Sequence, residues 1–409
     1  MNVEYVTMQF PEPSETFATN EVRVLRQAGV SLIVHGLRPR QGRSDDLLEE
    51  RRLVGLPTSH NGITSTLRGV GHALVRFGLL GSALRWIVAS SQRSWRDAIL
   101  SIVLLPRAFD ILAGLEQRKP DVVHMYWGHF PTIVGFLVQR SLPGVVTSVS
   151  IVAYDLERAY GGSVDVAQRA DILRTHARAN VSRLAAYVGV EPTKVNVIYN
   201  GVDLAWLDPI RDRHVKVRRR IVAAGRLTRK KGMHEVLRVF RILRERWPDA
   251  SLVILGDGPE RGALESARST LGLDGAVEFL GHVSHERVVE EMAKAEVFML
   301  LSRSEGERLP NVVKEGMACG CVCVTTPTPG IDELVEHGVN GYVVGQEDVE
   351  RAASIIDTVF AGRVDTDAIA TRARARIVEA FDLHETAPRY LDLWRRAIED
   401  RTASSGQAC

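Results

Sequence analysis

From its first residues the chain repeats one pattern, a short β-branched apolar run followed by a longer segment of helical period. Parallel strands joined by crossover helices produce that alternation, so the chain is read as α/β throughout. In the first half the expected strands are Val3 to Thr7, Ser31 to Leu37, Asp121 to Tyr126, Val145 to Val152 and Val195 to Tyr199. In the second half they are Arg220 to Ala224, Ser251 to Leu255, Val277 to Leu280, Val297 to Leu301, Val322 to Thr325 and Gly341 to Val344. These six, each followed by a turn, predict one doubly wound sheet. Between the halves, Asn200 to Lys216 holds Asn-Gly, Asp-Pro and a charged run with little apolar periodicity, which marks a domain boundary. Residues 1-205 are the expected first domain and 206-383 the second. In His384 to Glu399, Leu391, Leu393, Trp394 and Ile398 recur at helical spacing, so a terminal helix has one face to bury.

A chain of 409 residues, 45% hydrophobic, has enough apolar mass for two or three cores, which excludes disorder and disulfide-stapled miniatures. Its 52 Lys+Arg against 50 Asp+Glu give a formal charge of +2, no basis for wrapping nucleic acid. The four cysteines are Cys319, Cys321, Cys323 and Cys409, no disulfide framework and a fit to a reducing compartment. The close spacing of the first three invites a metal, but no histidine sits among them and a predicted strand runs through them; they read as small core residues. Asp365-Thr366-Asp367 has the form of a metal-binding pair and reads as a helix start.

Met1 to Thr7 lacks the basic start and apolar run of a secretory signal, so the expected location is cytoplasmic. The most apolar stretch, Leu74 to Ser91, is interrupted by Arg76 and Arg85, which argues against a transmembrane helix. Asn61 to Arg107 holds six Arg, one Asp and no Lys or Glu, interleaved with Phe77, Trp86, Trp95 and many Leu. Two readings stand: a surface that lies on the inner face of an anionic membrane and admits a lipid-linked acceptor, or core with arginines reaching outward.

Two segments carry chemistry. In Gly225 to Gly232 a strand ends in glycine, and Arg226 and Lys231 then precede a helix expected from about Met233, converging cations and backbone amides as a diphosphate requires. A solvated basic loop is the plain alternative. In Glu307 to Glu315, two carboxylates lie eight residues apart, with Pro310 suited to the first helical position. Eight helical residues would span up to about 12 Å, roughly the reach from a hexose across a diphosphate to a ribose. Carboxylates accept paired hydroxyls at both ends of such a ligand, and the helix N-terminus offers amides between them.

Taken together, Gly225 to Gly232, Gly256-Asp257-Gly258-Pro259, Phe279-Leu280-Gly281 and Glu307 to Gly320 resemble, in order and spacing, the retaining glycosyltransferases of family 4. The match is strong over about residues 195 to 345. Pro13-Ser14-Glu15-Thr16-Phe17 with Glu21 resembles the opening of a subgroup that builds bacterial exopolysaccharide and lipopolysaccharide, and Asn200-Gly201-Val202-Asp203 the interdomain signature. The resemblance implies the GT-B architecture, two doubly wound Rossmann-like domains facing a central cleft, with the acceptor in the first domain and the donor in the second. It implies too that residues 384-409 pack back on the first domain. The implied activity moves a hexose from a nucleoside diphosphate sugar to a saccharide or lipid-linked acceptor.

Carried over residue by residue, Arg226 and Lys231 neutralise the diphosphate, Glu307 accepts donor-sugar hydroxyls and Glu315 those of the ribose. Gly225, Gly256 and Gly258 shape the donor site, the backbone near His282 faces the base, and the segment Leu309, Pro310, Asn311 and Val312, through the amides near it, borders phosphate or sugar. No metal or other cofactor is expected, because fixed cations and helix dipoles stand in for magnesium.

The chain departs from the family at Arg308, where a glycine is usual, and at Val152, where a histidine commonly ends the fourth strand. His129 and Asp155 are the candidate substitutes, though Asp155 could equally cap the following helix. A nucleotide-sugar epimerase of the same fold, or an impaired homologue that only binds a nucleotide sugar, are the alternatives.

Overall fold

The computed structural model describes residues 1–12, 15–42, 44–92, 94–303 and 307–406, the side chains of 404–406 excepted. It divides into two compact units, one of Met1–Tyr199 with His384–Cys409, the other of Asn200–Leu383.

The first unit is built on seven parallel strands: β1 Asn2–Thr7, β2 Ser31–Pro39, β3 Thr58–Asn61, β4 Val122–Met125, β5 Val146–Ser150, β6 Ile172–Thr175 and β7 Val195–Val197. Their order is β3-β2-β1-β4-β5-β6-β7, so the strand order reverses between β1 and β4. The second unit has six, β8 Val217–Ala224, β9 Ser251–Leu255, β10 Val277–Gly281, β11 Ala295–Leu300, β12 Val322–Thr325 and β13 Tyr342–Val343. They run β10-β9-β8-β11-β12-β13, also parallel, with the reversal between β8 and β11. In such sheets loops diverge at the reversal and leave a crevice at the carboxyl edge.

Two strands escape the apolar alternation. β3 is Thr-Ser-His-Asn, an edge strand without one apolar side chain, and β6 has Arg174 where the run should continue. The Arg174 guanidinium is fully buried and is held by the Ile198 carbonyl at 2.7 Å, Ser150 Oγ at 3.3 Å and the Glu21 carboxylate at 4.0 Å. A buried charge persists only with such partners. The expected Val145 to Val152 strand ends early, at Ser150, because the Val152 N–H turns to the Asp155 side chain. Pro310 lies just before a helix that runs Asn311–Ala318, not at its first position.

In the first unit the terminal helix Pro388–Gly406 buries Tyr390 and Trp394 completely; the Trp394 ring meets Tyr5 at 6.2 Å and His124 at 5.8 Å. Arg401 anchors its far end on Asp171, 2.8 Å away. In the second unit Cys319, Cys321 and Cys323 are buried, and burial pushes all three thiols up. Asp365 caps the helix Thr366–Phe381 by accepting the Ala368 N–H at 2.9 Å.

Among the described residues, one helix is long and apolar enough to cross a membrane, and it is Trp95–Arg118 rather than the Leu74 to Ser91 stretch. That stretch belongs to a pair, Ile63–Val75 and Phe77–Ser90, bent by 105° at their junction.

Candidate active site

The carboxyl edge of the second sheet is held together by backbone contacts between loops. Gly225 donates to the Leu255 carbonyl at 3.0 Å, Leu227 to Asp257 at 2.9 Å, and Gly256 to Gly281 at 2.8 Å, so the turns after β8, β9 and β10 form one ledge. A Cβ on Gly256 would stand 2.0 Å from the Gly225 oxygen, and one on Gly258 2.4 Å from the Leu227 oxygen. These two glycines therefore have a packing reason to be there, whatever they touch in a ligand. His282 is exposed directly after this ledge.

Arg226 is exposed at the end of β8, and among the described residues it makes no ion pair. Lys231, on the single turn Arg229–Lys231, extends its Nζ to the Glu307 carboxylate. The other Glu307 oxygen accepts the hydroxyl of Ser302, which follows β11 and which the motif reading passed over. The predicted cation and the predicted acid are thus in direct contact, not at separate stations.

Beyond Glu307 the chain tightens. Arg308 is buried and donates to the Glu307 carbonyl at 3.2 Å, and Leu309 is held at φ 43°, a left-handed conformation that costs an ordinary side chain about 1–2 kcal/mol. Pro310 follows at φ −55°, and Asn311 and Val312, both half-buried, open the helix. The first N–H groups of a helix have no partner within it, so this end presents donors and the positive pole of the dipole. Lys314 is fully buried and ties the helix to the Asn200 carbonyl, at 2.8 Å, and to Asn311 Oδ1, at 3.0 Å.

One turn further in, buried Glu315 meets His285 Nε2 at 2.9 Å, and the His285 ring stacks on Trp206 with centroids 4.5 Å apart and planes 25° from parallel. Neither His285 nor Trp206 stands in a motif. Only the packing of Leu204–Arg211 against His285–Lys294 brings them to Glu315.

In the first unit, the turn after β4 brings His129 Nδ1 to 2.7 Å from Asp155 Oδ1, while Asp155 Oδ2 accepts the Val152 N–H at 3.0 Å. The two candidates weighed as alternatives are a single hydrogen-bonded pair, and Asp155 caps its helix with its other oxygen. Val152 contributes only its backbone. With Nδ1 engaged, His129 Nε2 has no hydrogen-bond partner among the described residues. Trp127 and Tyr154 flank the imidazole, each 5.8 Å from its centroid. Glu15, at the start of helix Thr16–Gln27, lies in the same neighbourhood. Burial, with the charges of Glu12 and Asp155, pushes its carboxyl up to about 8 against a hydrogen bond from Trp127 and the charge of Arg51.

Two Rossmann-like parallel-sheet units, the second with cations, acids and a helix N-terminus at its carboxyl edge, have the architecture of the GT-B fold. Residues 209–376 match the family model of the glycosyl transferases group 1. Over 94% of its length, and 97% of the relative's, it is 26% identical to the amylovoran biosynthesis glycosyltransferase AmsK of Erwinia amylovora. It is 25% identical to the putative colanic acid biosynthesis glycosyltransferase WcaL of Escherichia coli, over 93% of this chain and 96% of that one. Anabaena HepE, solved in complex with UDP, superposes with a TM-score of 0.70 at 18% identity, covering 96% of this chain and 99% of its own.

Proposed function

We propose that the chain is a family 4, retaining transferase that moves a hexose from a nucleoside diphosphate sugar to a saccharide or lipid-linked acceptor during cell-surface polysaccharide synthesis. The observation that carries this reading is the meeting of Lys231, Ser302 and Glu307 at the edge of the second sheet, close in sequence to an open helix N-terminus. Without a donor, Lys231 and Glu307 satisfy each other. An arriving diphosphate takes Lys231 and the exposed Arg226, which releases Glu307 to accept sugar hydroxyls. Glu315, aimed by His285, accepts the ribose hydroxyls at the other end of the donor. The names of the relatives favour an exopolysaccharide product, and the UDP in the Anabaena protein favours a uridine donor.

In this reading Arg226, Lys231 and the helix dipole supply the positive field, so transfer proceeds without a divalent cation. Retention follows from front-side attack, in which the departing phosphate oxygen takes the proton of the incoming hydroxyl. His129, oriented by Asp155, hydrogen-bonds a reacting-side hydroxyl through Nε2. The reaction draws on the nucleotide sugars of the cytoplasm.

The test is UDP release from a panel of UDP-hexoses with membrane extract as acceptor, with and without EDTA. Acceptor-dependent release that survives EDTA supports the proposal. Conversion of the donor sugar with no acceptor marks an epimerase, and binding without turnover marks an impaired homologue.

A further inference from the structure

The crossover from β3 to β4 uses three helices, Ile63–Val75, Phe77–Ser90 and Trp95–Arg118, where one would suffice. Of the 19 exposed large apolar side chains among the described residues, 13 fall between positions 63 and 103, so they form a concentration and not the usual scatter. Their spacing is helical. Ile63, Leu67, Val70 and Leu74 recur at intervals of four, three and four on the first helix. Trp95, Ile99, Ile102 and Val103 stand at i, i+4, i+7 and i+8 at the start of the third, and Phe77 and Val88 project from the second. Each helix has a separate inner face in the core, with Ala73, Trp86, Leu104, Phe109 and Leu112 buried there. The outer stripes are therefore additional to what folding needs.

Charge selects the occupant. Arg68 and Arg76 are paired with Asp110 and Glu116, but Arg85 and Arg96 are exposed beside the apolar stripes and make no ion pair among the described residues. Asp97, the single acid between positions 61 and 107, is taken by Arg158. We propose that these three helices dock the enzyme in the plane of an anionic lipid surface, the apolar stripes entering the headgroup boundary and Arg85 and Arg96 meeting lipid phosphates. A second copy of the chain is a poorer occupant, because a two-fold contact over this face would set its cations against themselves. Spanning is excluded by the inner face of Trp95–Arg118: it carries the buried Arg107, bonded to Asp110 at 2.7 Å and to the Gly36 carbonyl at 3.2 Å, and could leave only by opening the core.

The experiment is flotation of the full chain with equimolar phosphatidylglycerol and phosphatidylcholine vesicles, against phosphatidylcholine alone. Binding is expected to the anionic vesicles, weakened by salt. R85Q/R96Q is expected to lower affinity roughly 25-fold, about fivefold per arginine, and L67E/I99E at least as much. All four side chains are exposed, so thermal melts of the variants should match the parent. Equal binding to both vesicles, or none, overturns the proposal; so does a dimer in sedimentation that dissociates on L67E/I99E while vesicles are ignored. Vesicle binding needs no donor and no turnover, so its failure is separate from failure of the transferase reading.

Discussion

The two units share one architecture and differ in how they assemble chemistry. In the second, the groups at the sheet edge come from short segments beginning where strands end: Arg226 and Lys231 after β8, Ser302 and Glu307 after β11. In the first, His129 follows β4, Asp155 lies in the helix after β5, and Glu15 begins a helix elsewhere in the chain. On the proposed reading the second unit is a fixed receptacle, most of its groups carried by motifs at strand ends and joined by the packing of β8 beside β11. The first joins single side chains from separate loops and helices, with no motif to announce them.

The sharpest way to break this contrast is at the fixed receptacle. Lys231→Ala should cut kcat by roughly 10²–10³, the usual loss for one preorganised charge-stabilising group, in an initial-rate assay of diphosphate release. Unchanged turnover would dissolve the assigned role of the Lys231–Glu307 pair. His129→Ala should cost about 10²-fold in kcat, with Asp155→Asn losing less and shifting the pH profile. If His129 only packs, its variant will lose thermal stability while kcat holds.

A smaller effect is expected at His285. It touches Glu315 and not the reacting atoms, so His285→Ala should raise the donor KM roughly tenfold, the worth of about one charged hydrogen bond, and leave kcat near normal. Glu15 gives a signal in stability and not in turnover. Its folded value of about 8 lies above the usual 4.5, so the folded state holds the proton more tightly. Stability should therefore decline as pH climbs from about 4.5 through about 8, and Glu15→Gln should flatten that slope in thermal melts. An opposite slope would show the carboxyl ionised and paired.

How much of this was legible depended on whether the determinant was local. Both sheets followed from apolar runs, except β3, which has none, and β6, where Arg174 interrupts the run and is held by partners from β5, from beyond β7 and from the first helix. The contact of Lys231 with Glu307 could not be read, because it depends on β8 and β11 lying side by side. The same holds for His285 on Glu315. Val152 stands where an imidazole was expected, and the packing of the β4 and β5 loops brings His129 to the Asp155 carboxylate that also holds the Val152 N–H. Gly128 permits this: a Cβ there would sit 2.7 Å from Ile151 Cγ1.

The central claim, that the second unit cradles a nucleoside diphosphate between Arg226, Lys231 and Glu315, is tested most directly by calorimetric titration of the full chain with UDP and other nucleoside diphosphates. One of them should bind, and more weakly to both Lys231→Ala and Glu315→Ala while the melting temperature of the free variants holds. Wild-type affinity in both variants, or no heat from any nucleoside diphosphate, would contradict it.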